Sequence, residues 1–292
     1  MLPISSTIKK GLILSYFLLI CSLLFAQENS SLLWKVSGNG TVHESYLFGT
    51  IHLICKDQFM MDEITLKALE DSDKLFMEID MSDPGIMGKM NQISFNKDME
   101  NIKAHIPEEE HATVDAFFKE SFGAGLDQLG AMKPFILSSM VLMKVISCPN
   151  VQSYEQFFLG KAQEKQIPIK GLETIEFQAS LFDEIPLEEQ IDELVKVILD
   201  TEKGNQEFQE LVDVYLSKDI EYIHDQIIIS DMFANHAESL LYNRNKAWIP
   251  IIEEAIKEAS AFVAVGAGHL GSENGLVQLL RKQGYTVEPV LK

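Results

Sequence analysis

Strand-like runs gather at the two ends of this chain, with almost none between them. Strands at both ends around a helical middle indicate an α/β sheet with a helical insertion, and that limits the fold more than any other feature. Leu32–Ser37 and Ser45–His52 flank Gly38-Asn39-Gly40, a hairpin-turn signal. Lys74–Asp80 (KLFMEID) is a third run, bracketed by Asp71-Ser72-Asp73 and Asp83-Pro84-Gly85. Ala261–Val265 and Thr286–Val290 close the chain, and Ile167–Gly171 is a strand candidate in the middle. The remainder reads as helix. Asp62–Glu70 links the second and third runs, and Pro107–Glu120 opens with a proline and three glutamates, which suit the positive end of a helix. Met132–Ser147 is apolar enough to be buried, and Ser153–Lys165 has Ser153 as its cap with Glu155 in its first turn. Leu187–Glu202, a segment through Phe208 and Tyr215, and another through Trp248, Ile252 and Ile256 carry helical spacing. The expected fold class is α/β: a central mixed sheet built from N- and C-terminal strands with a largely helical middle insertion. No linker rich in Pro, Gly or Ser divides it, so residues 27–292 read as a single domain.

Residues 1–26 stand apart. Lys9 and Lys10 precede the apolar run Gly11–Ala26, and a polar segment follows, which is the layout of a signal peptide cleaved near Ala26. The run of about 16 residues falls short of the roughly 20 that cross a bilayer, so no stable membrane anchor is expected after cleavage. The expected location is secreted or periplasmic. Cleavage removes Cys21 and leaves Cys55 and Cys148; an oxidising compartment permits them to pair, but the sequence does not join them. The formal charge of −20 becomes −22 once Lys9 and Lys10 are gone. Such a surface repels phosphate backbones, which argues against a nucleic-acid partner.

Two Gly-x-x-His segments carry the strongest chemical signal. Gly49-Thr50-Ile51-His52 ends the second strand, and Gly266-Ala267-Gly268-His269 follows the strand Ala261–Val265. Both histidines fall at the carboxyl end of a strand, where open α/β sheets place their ligand clefts. Gly266 and Gly268 are expected to let the backbone turn sharply and a substrate or metal approach closely. Glu78 lies inside an apolar strand, where an ionised group needs a partner or a metal; a strand with one solvated face is the plainer alternative. Two imidazoles and a carboxylate make a sufficient set for a catalytic divalent ion. Glu173 follows a strand and a glycine, and either enters the same cleft or caps the next helix. Arg244, one of two arginines in the chain, suits a carboxylate or a developing oxyanion, or is a helix-surface charge. His43, His105, His111, His224 and His236 read as surface or structural groups.

These segments together resemble the TraB/GumN family, which includes the Tiki metalloproteases and is distantly similar to erythromycin esterase-like enzymes. The resemblance rests on Tyr46–His52, Leu75–Asp80 with Glu78, Lys133-Pro134, Gly171–Thr174 with Gln178, Arg244-Asn245 and Val265–Leu270. The ending Gly275-Leu276, Leu280 and Gly284–Val287 is similar too. It implies that His52, Glu78 and His269 hold a divalent metal or the reacting water, the metal being manganese or cobalt in the Tiki branch with zinc as a further choice. Glu173 and Arg244 then stand beside it as catalytic groups, Glu173 as general base or further ligand. The expected function is a metal-dependent hydrolase, a peptidase first, acting on a peptide or small-molecule substrate. Two alternatives remain: a metal-independent His/Glu hydrolase of the esterase-like kind, and a peptide-sequestering protein without turnover.

Overall fold

The computed structural model describes residues 30–229 and 231–291. The expected signal peptide and its cleavage point near Ala26 lie outside them. The two ends of the chain do meet. A six-stranded mixed sheet runs in the order β6-β4-β7-β2-β1-β8. Its strands are β1 (Leu33–Gly38), β2 (Ser45–Thr50), β4 (Lys74–Ile79), β6 (Ile169–Glu173), β7 (Ala261–Gly266) and β8 (Tyr285–Pro289). Neighbours from β6 through β4 and β7 to β2 are parallel, while β1 pairs antiparallel with both β2 and β8. A separate two-stranded antiparallel ladder joins β3 (Ile54–Cys55) to β5 (Val151–Gln152).

β7 is central, and its residues Ala261–Val265 are buried on both faces, as an unbroken apolar run in a parallel sheet should be. Alternation sends Phe262 and Ala264 to one face, with Phe48, Leu75 and Met77. There they pack on the helices Tyr154–Lys165 and Thr201–Leu216 through Phe158, Phe208 and Val212. Val263 and Val265 go to the other face with Leu47 and Phe76, under Trp248, Ile252 and Ile256 of the helix Asn243–Glu258. A third apolar cluster lies inside the helical insertion, where Phe118, Leu137, Val141, Leu194 and Ile198 meet.

Several boundaries differ from the sequence expectation. The helix after Pro107 begins only at His111 and runs to Phe122, because Pro107–Glu110 closes as turns, with the Glu110 N–H donating to the Pro107 carbonyl at 2.9 Å. The apolar segment forms Pro134–Val145 with one buried face and Met143 left exposed, instead of burying all round. Leu187–Leu199 and Thr201–Leu216 are separate helices hinged at Asp200, whose side chain accepts from the Lys203 N–H. Cys55 and Cys148 form a disulfide, which answers the question the sequence left open. Among the described residues, no helix is long and apolar enough to cross a membrane.

Candidate active site

Four parallel strands end on the same edge of the sheet, and their carboxyl ends deliver the predicted residues there. Register sets Thr50 beside Gly266 and Gly49 beside Val265, so the two Gly-x-x-His segments leave adjacent strands together. A Cβ on Gly49 would lie 2.9 Å from Leu270 Cδ1 and 3.0 Å from Ala267 Cα, so the second segment packs directly against the first. Gly266 has an ordinary negative φ, so it is not needed for a sharp turn. Its bare backbone instead lets Glu78 approach: the Gly266 N–H donates to Glu78 Oε1 at 2.8 Å.

Glu78 shares the face of Phe76 and points at the helix Asn243–Glu258. Arg244, in the first turn of that helix, is the hub of the site. Its Nη2 donates to Glu78 Oε2 at 2.6 Å and to Glu173 Oε1 at 2.7 Å, and its Nε donates to both Glu173 oxygens at 3.1 and 3.2 Å. Its Nη1 donates to the Leu240 carbonyl at 2.9 Å and to His269 Nε2 at 3.1 Å. The five N–H groups of a guanidinium are thereby committed to protein acceptors. The Leu240 carbonyl belongs to a π-helical turn, Glu238–Tyr242, that directly precedes Arg244. Such turns widen the helix locally and recur at functional sites. Trp248 lies one turn on, with the Arg244 Cζ 4.7 Å from its ring centre and the His269 ring at 4.5 Å. Its indole N–H donates to Glu173 Oε2 at 3.0 Å. Gln178 adds donations to Glu78 Oε2 and Glu173 Oε1 at 2.9 and 3.2 Å. The side chains of Arg244, Glu78 and Glu173 are only 8%, 11% and 5% exposed, so this is a buried ionic cluster of one cation and two carboxylates. Glu173 enters the cleft and leaves capping to Thr174, whose hydroxyl accepts from the Phe177 N–H.

Burial by itself would raise the Glu78 pKa; the charges of Arg244, His269 and His52 and the Gly266 N–H overcome it and hold Glu78 well below the usual carboxylate range. His269 shifts down as well, to about 3, because burial and the neighbouring Arg244 disfavour a second cation despite the pull of Glu78. Its tautomer follows from its partners. Asn245 Nδ2 donates to the carbonyls of His269 and Asn274 at 3.3 and 2.9 Å, which leaves Asn245 Oδ1 to accept from His269 Nδ1 at 2.7 Å. The proton is therefore on Nδ1, and the Nε2 lone pair receives Arg244.

His52 is not part of this cluster. It stands at the rim with 72% of its side chain accessible, its Nδ1 donating to Glu155 Oε1 at 2.9 Å. The protein around the ring pulls its pKa down by desolvation, but the hydrogen bond and charge of Glu155, with the charge of Glu78, carry it above the ordinary imidazole value. Glu155, Gln178, Asn245 and Trp248 were not singled out as site residues by pattern. Gln178 stands in a matching family segment, and Glu155 looks like an acid in a helix's first turn. Asn245 stands in a matching segment too, Arg244-Asn245, and Trp248 passes as an ordinary helix residue.

The chemistry of His52, Glu78 and His269 suits a divalent ion, but their arrangement does not fit one. Among the described residues no three His, Cys, Asp or Glu side chains are grouped to hold a metal. The lone pairs at His269 Nε2 and Glu78 Oε2 already accept from Arg244, a cation seated where a metal would have to bind.

The chain is 19% identical to Metalloprotease TIKI2 of Danio rerio, covering 90% of this chain and 61% of that protein. It is 21% identical to Metalloprotease TIKI2 of Xenopus tropicalis, covering 92% and 61%. It thus spans about three-fifths of the length of these curated relatives. No solved structure matches. The sequence profile of the TraB/PrgY/gumN family matches residues 32–289, which takes in β1 through β8 and every residue of the site, and the chain belongs to that family.

Proposed function

We propose that this protein is a secreted or periplasmic hydrolase that cleaves peptide bonds at the cleft between His52 and Glu78. The observation that carries this reading is the division of the site. A rigid, buried, charged floor lies beneath an imidazole that solvent reaches. Hydrolysis of an amide needs a group that takes a proton from water and returns it to the leaving amine. His52, with Nδ1 tied to Glu155, offers Nε2 for both transfers; with its pKa raised to about 9, the neutral form that accepts a proton is a minor fraction at pH 7 and grows as pH rises. Glu78 is kept ionised, and its Oε1 accepts only from the Gly266 N–H among the described residues, which leaves capacity to orient a water. Arg244 donates to protein alone, so it acts on the developing oxyanion through its charge and by fixing Glu78 and His269. Glu173 serves the same end by holding Arg244.

Family membership and the names of the two metalloprotease relatives support a peptide as substrate. The Cys55–Cys148 disulfide supports an oxidising compartment, in keeping with the proposed signal peptide.

A second reading has His52, Glu78 and His269 hold manganese, cobalt or zinc. Glu78 Oε1 lies 3.9 Å from His269 Nε2, a separation that two ligands at about 2.1 Å from one ion can span. That arrangement requires Arg244 to release His269 Nε2, while its hold on Glu78 through Oε2 can remain. One experiment separates the readings: digestion of a peptide library by protein purified without chelator, with His52→Ala and Glu78→Gln as controls. The metal-free reading expects cleavage that survives EDTA and is lost in both variants. Loss with EDTA and recovery with added manganese, cobalt or zinc favours the second reading. Peptides retained intact in every condition sink both and leave a binding protein.

A further inference from the structure

Glu155 reads in sequence as a helix-start acid, yet it is the hydrogen-bond partner of the imidazole at the cleft rim. We propose that Glu155 is the positioning residue for His52, and that the Cys55–Cys148 disulfide with the β3–β5 ladder clamps together the two segments that carry this pair. The catalytic side of this assignment rests on the hydrolase reading; the positional side does not.

Glu155 is fixed independently of His52. Its Oε1 accepts from the Thr50 hydroxyl at 2.7 Å, at the end of β2, and its Oε2 accepts from the Ser153 hydroxyl at 2.8 Å, at the cap of its own helix. The carboxylate is thus held before the imidazole arrives. His52, by contrast, is mostly exposed and has little packing to choose its rotamer. The Nδ1 contact is what orients it, and with Nδ1 facing Glu155 the opposite nitrogen, Nε2, is turned away from that carboxylate. An exposed ion pair contributes little to stability, so fold maintenance alone is a weak reason for this arrangement.

The backbone repeats the link. His52 lies two residues before β3, and Glu155 three residues after β5. Ile54 and Cys55 pair with Gln152 and Val151, and the Lys56 N–H donates to the Asn150 carbonyl at 2.9 Å. The disulfide then joins the same two segments across a sequence separation of 93 residues. Two-residue strands make a weak ladder. The covalent bond keeps it in register.

The test uses the mature chain as wild type, Glu155→Gln, Glu155→Ala and Cys55→Ser/Cys148→Ser, each checked for an intact thermal transition. Two readouts are taken: kcat and KM on a peptide that the wild type cleaves, and NMR Overhauser contacts between the His52 ring and the Thr50 side chain. Glu155→Ala is expected to lower kcat by about 100-fold with KM nearly unchanged, the scale of a misplaced catalytic group, and to abolish the ring contacts. Glu155→Gln keeps an acceptor oxygen and should fall between it and wild type. The double cysteine variant should weaken the ring contacts and lower kcat while Glu155 itself is present. Ring contacts that persist unchanged in Glu155→Ala, or a kcat that stays at the wild-type value, overturn the proposal. A wild type that cleaves no peptide overturns the hydrolase reading, and the ring contacts then decide the positioning by themselves.

Discussion

Arg244 binds two carboxylates and an imidazole at once, so its removal is felt by the fold as well as the site. Arg244→Ala leaves Glu78 and Glu173 buried without their cation, and breaking a buried ion pair in this way costs about 3–5 kcal/mol. Arg244→Lys should recover less than half of that in urea denaturation, because an ammonium cannot reproduce the planar fork. A lysine variant as stable as wild type would mean that charge alone suffices. Glu78→Gln removes the ionised acceptor at nearly the same size, and should lower kcat on a cleaved peptide at least about 100-fold. A fall of only a few-fold would take Glu78 out of the reaction. Glu78, Arg244, His52 and His269 stand out in the sequence because each breaks a local pattern, whereas Glu173 reads equally well as a helix cap. A charge sits in an apolar strand, glycine and histidine recur after strands, and arginine is scarce. Trp248 and Asn245 break none, and which side chains face Arg244 depends on a helix rotation that the sequence does not display.

Elements were readable where they were long. The six main strands and the longer helices follow from apolar runs and periodicity, whereas β3 and β5, of two residues each, carry no periodic signal. The late start at His111 has a similar cause, since Pro107 and its glutamates suit a turn as well as a first helical turn. The contact between the two Gly-x-x-His segments makes a prediction at this scale. Gly49→Ala places a methyl against Leu270 and the Ala267 backbone, and overpacking of this kind costs about 1–3 kcal/mol. Because the displaced segment carries His269, calorimetric destabilisation should be accompanied by reduced cleavage. A variant of unchanged melting temperature would show that the two segments are not wedged together.

The whole molecule should be sensitive to acid, and the ionisable groups give the direction. His269 has a folded pKa of about 3 against an ordinary 6.5. Between those values the unfolded chain binds a proton that the folded chain does not, so stability rises with pH. This contribution is complete above 6.5 and is lost as pH falls towards 3, with a slope of about 1.4 kcal/mol per pH unit for one proton. Glu78, also held below its ordinary value, adds its loss at pH below 4.5. His52 acts oppositely: its raised pKa stabilises below 6.5 and fades as pH rises through the higher value, weakly because solvent reaches the ring. Denaturation midpoints at pH 7.5 and 5.0 should therefore drop more in wild type than in His269→Gln. Equal drops would remove His269 from the account.

The place of β7 bears on how the molecule comes into being. β7 lies between β2 and β4, two strands laid down far earlier in the chain that do not pair with each other. During synthesis from the N-terminus, the β1–β2 hairpin and β4 must wait for Ala261–Gly266 before a sheet can close. Contacts of such long sequence separation form slowly. A chain exported in the unfolded state, as the proposed signal peptide would require, gains from that delay, because it cannot lock into its final shape before its C-terminal part is made. The same stretch brings Gly266 and His269, so the cleft and the closed sheet arrive together, and a truncated product would have neither.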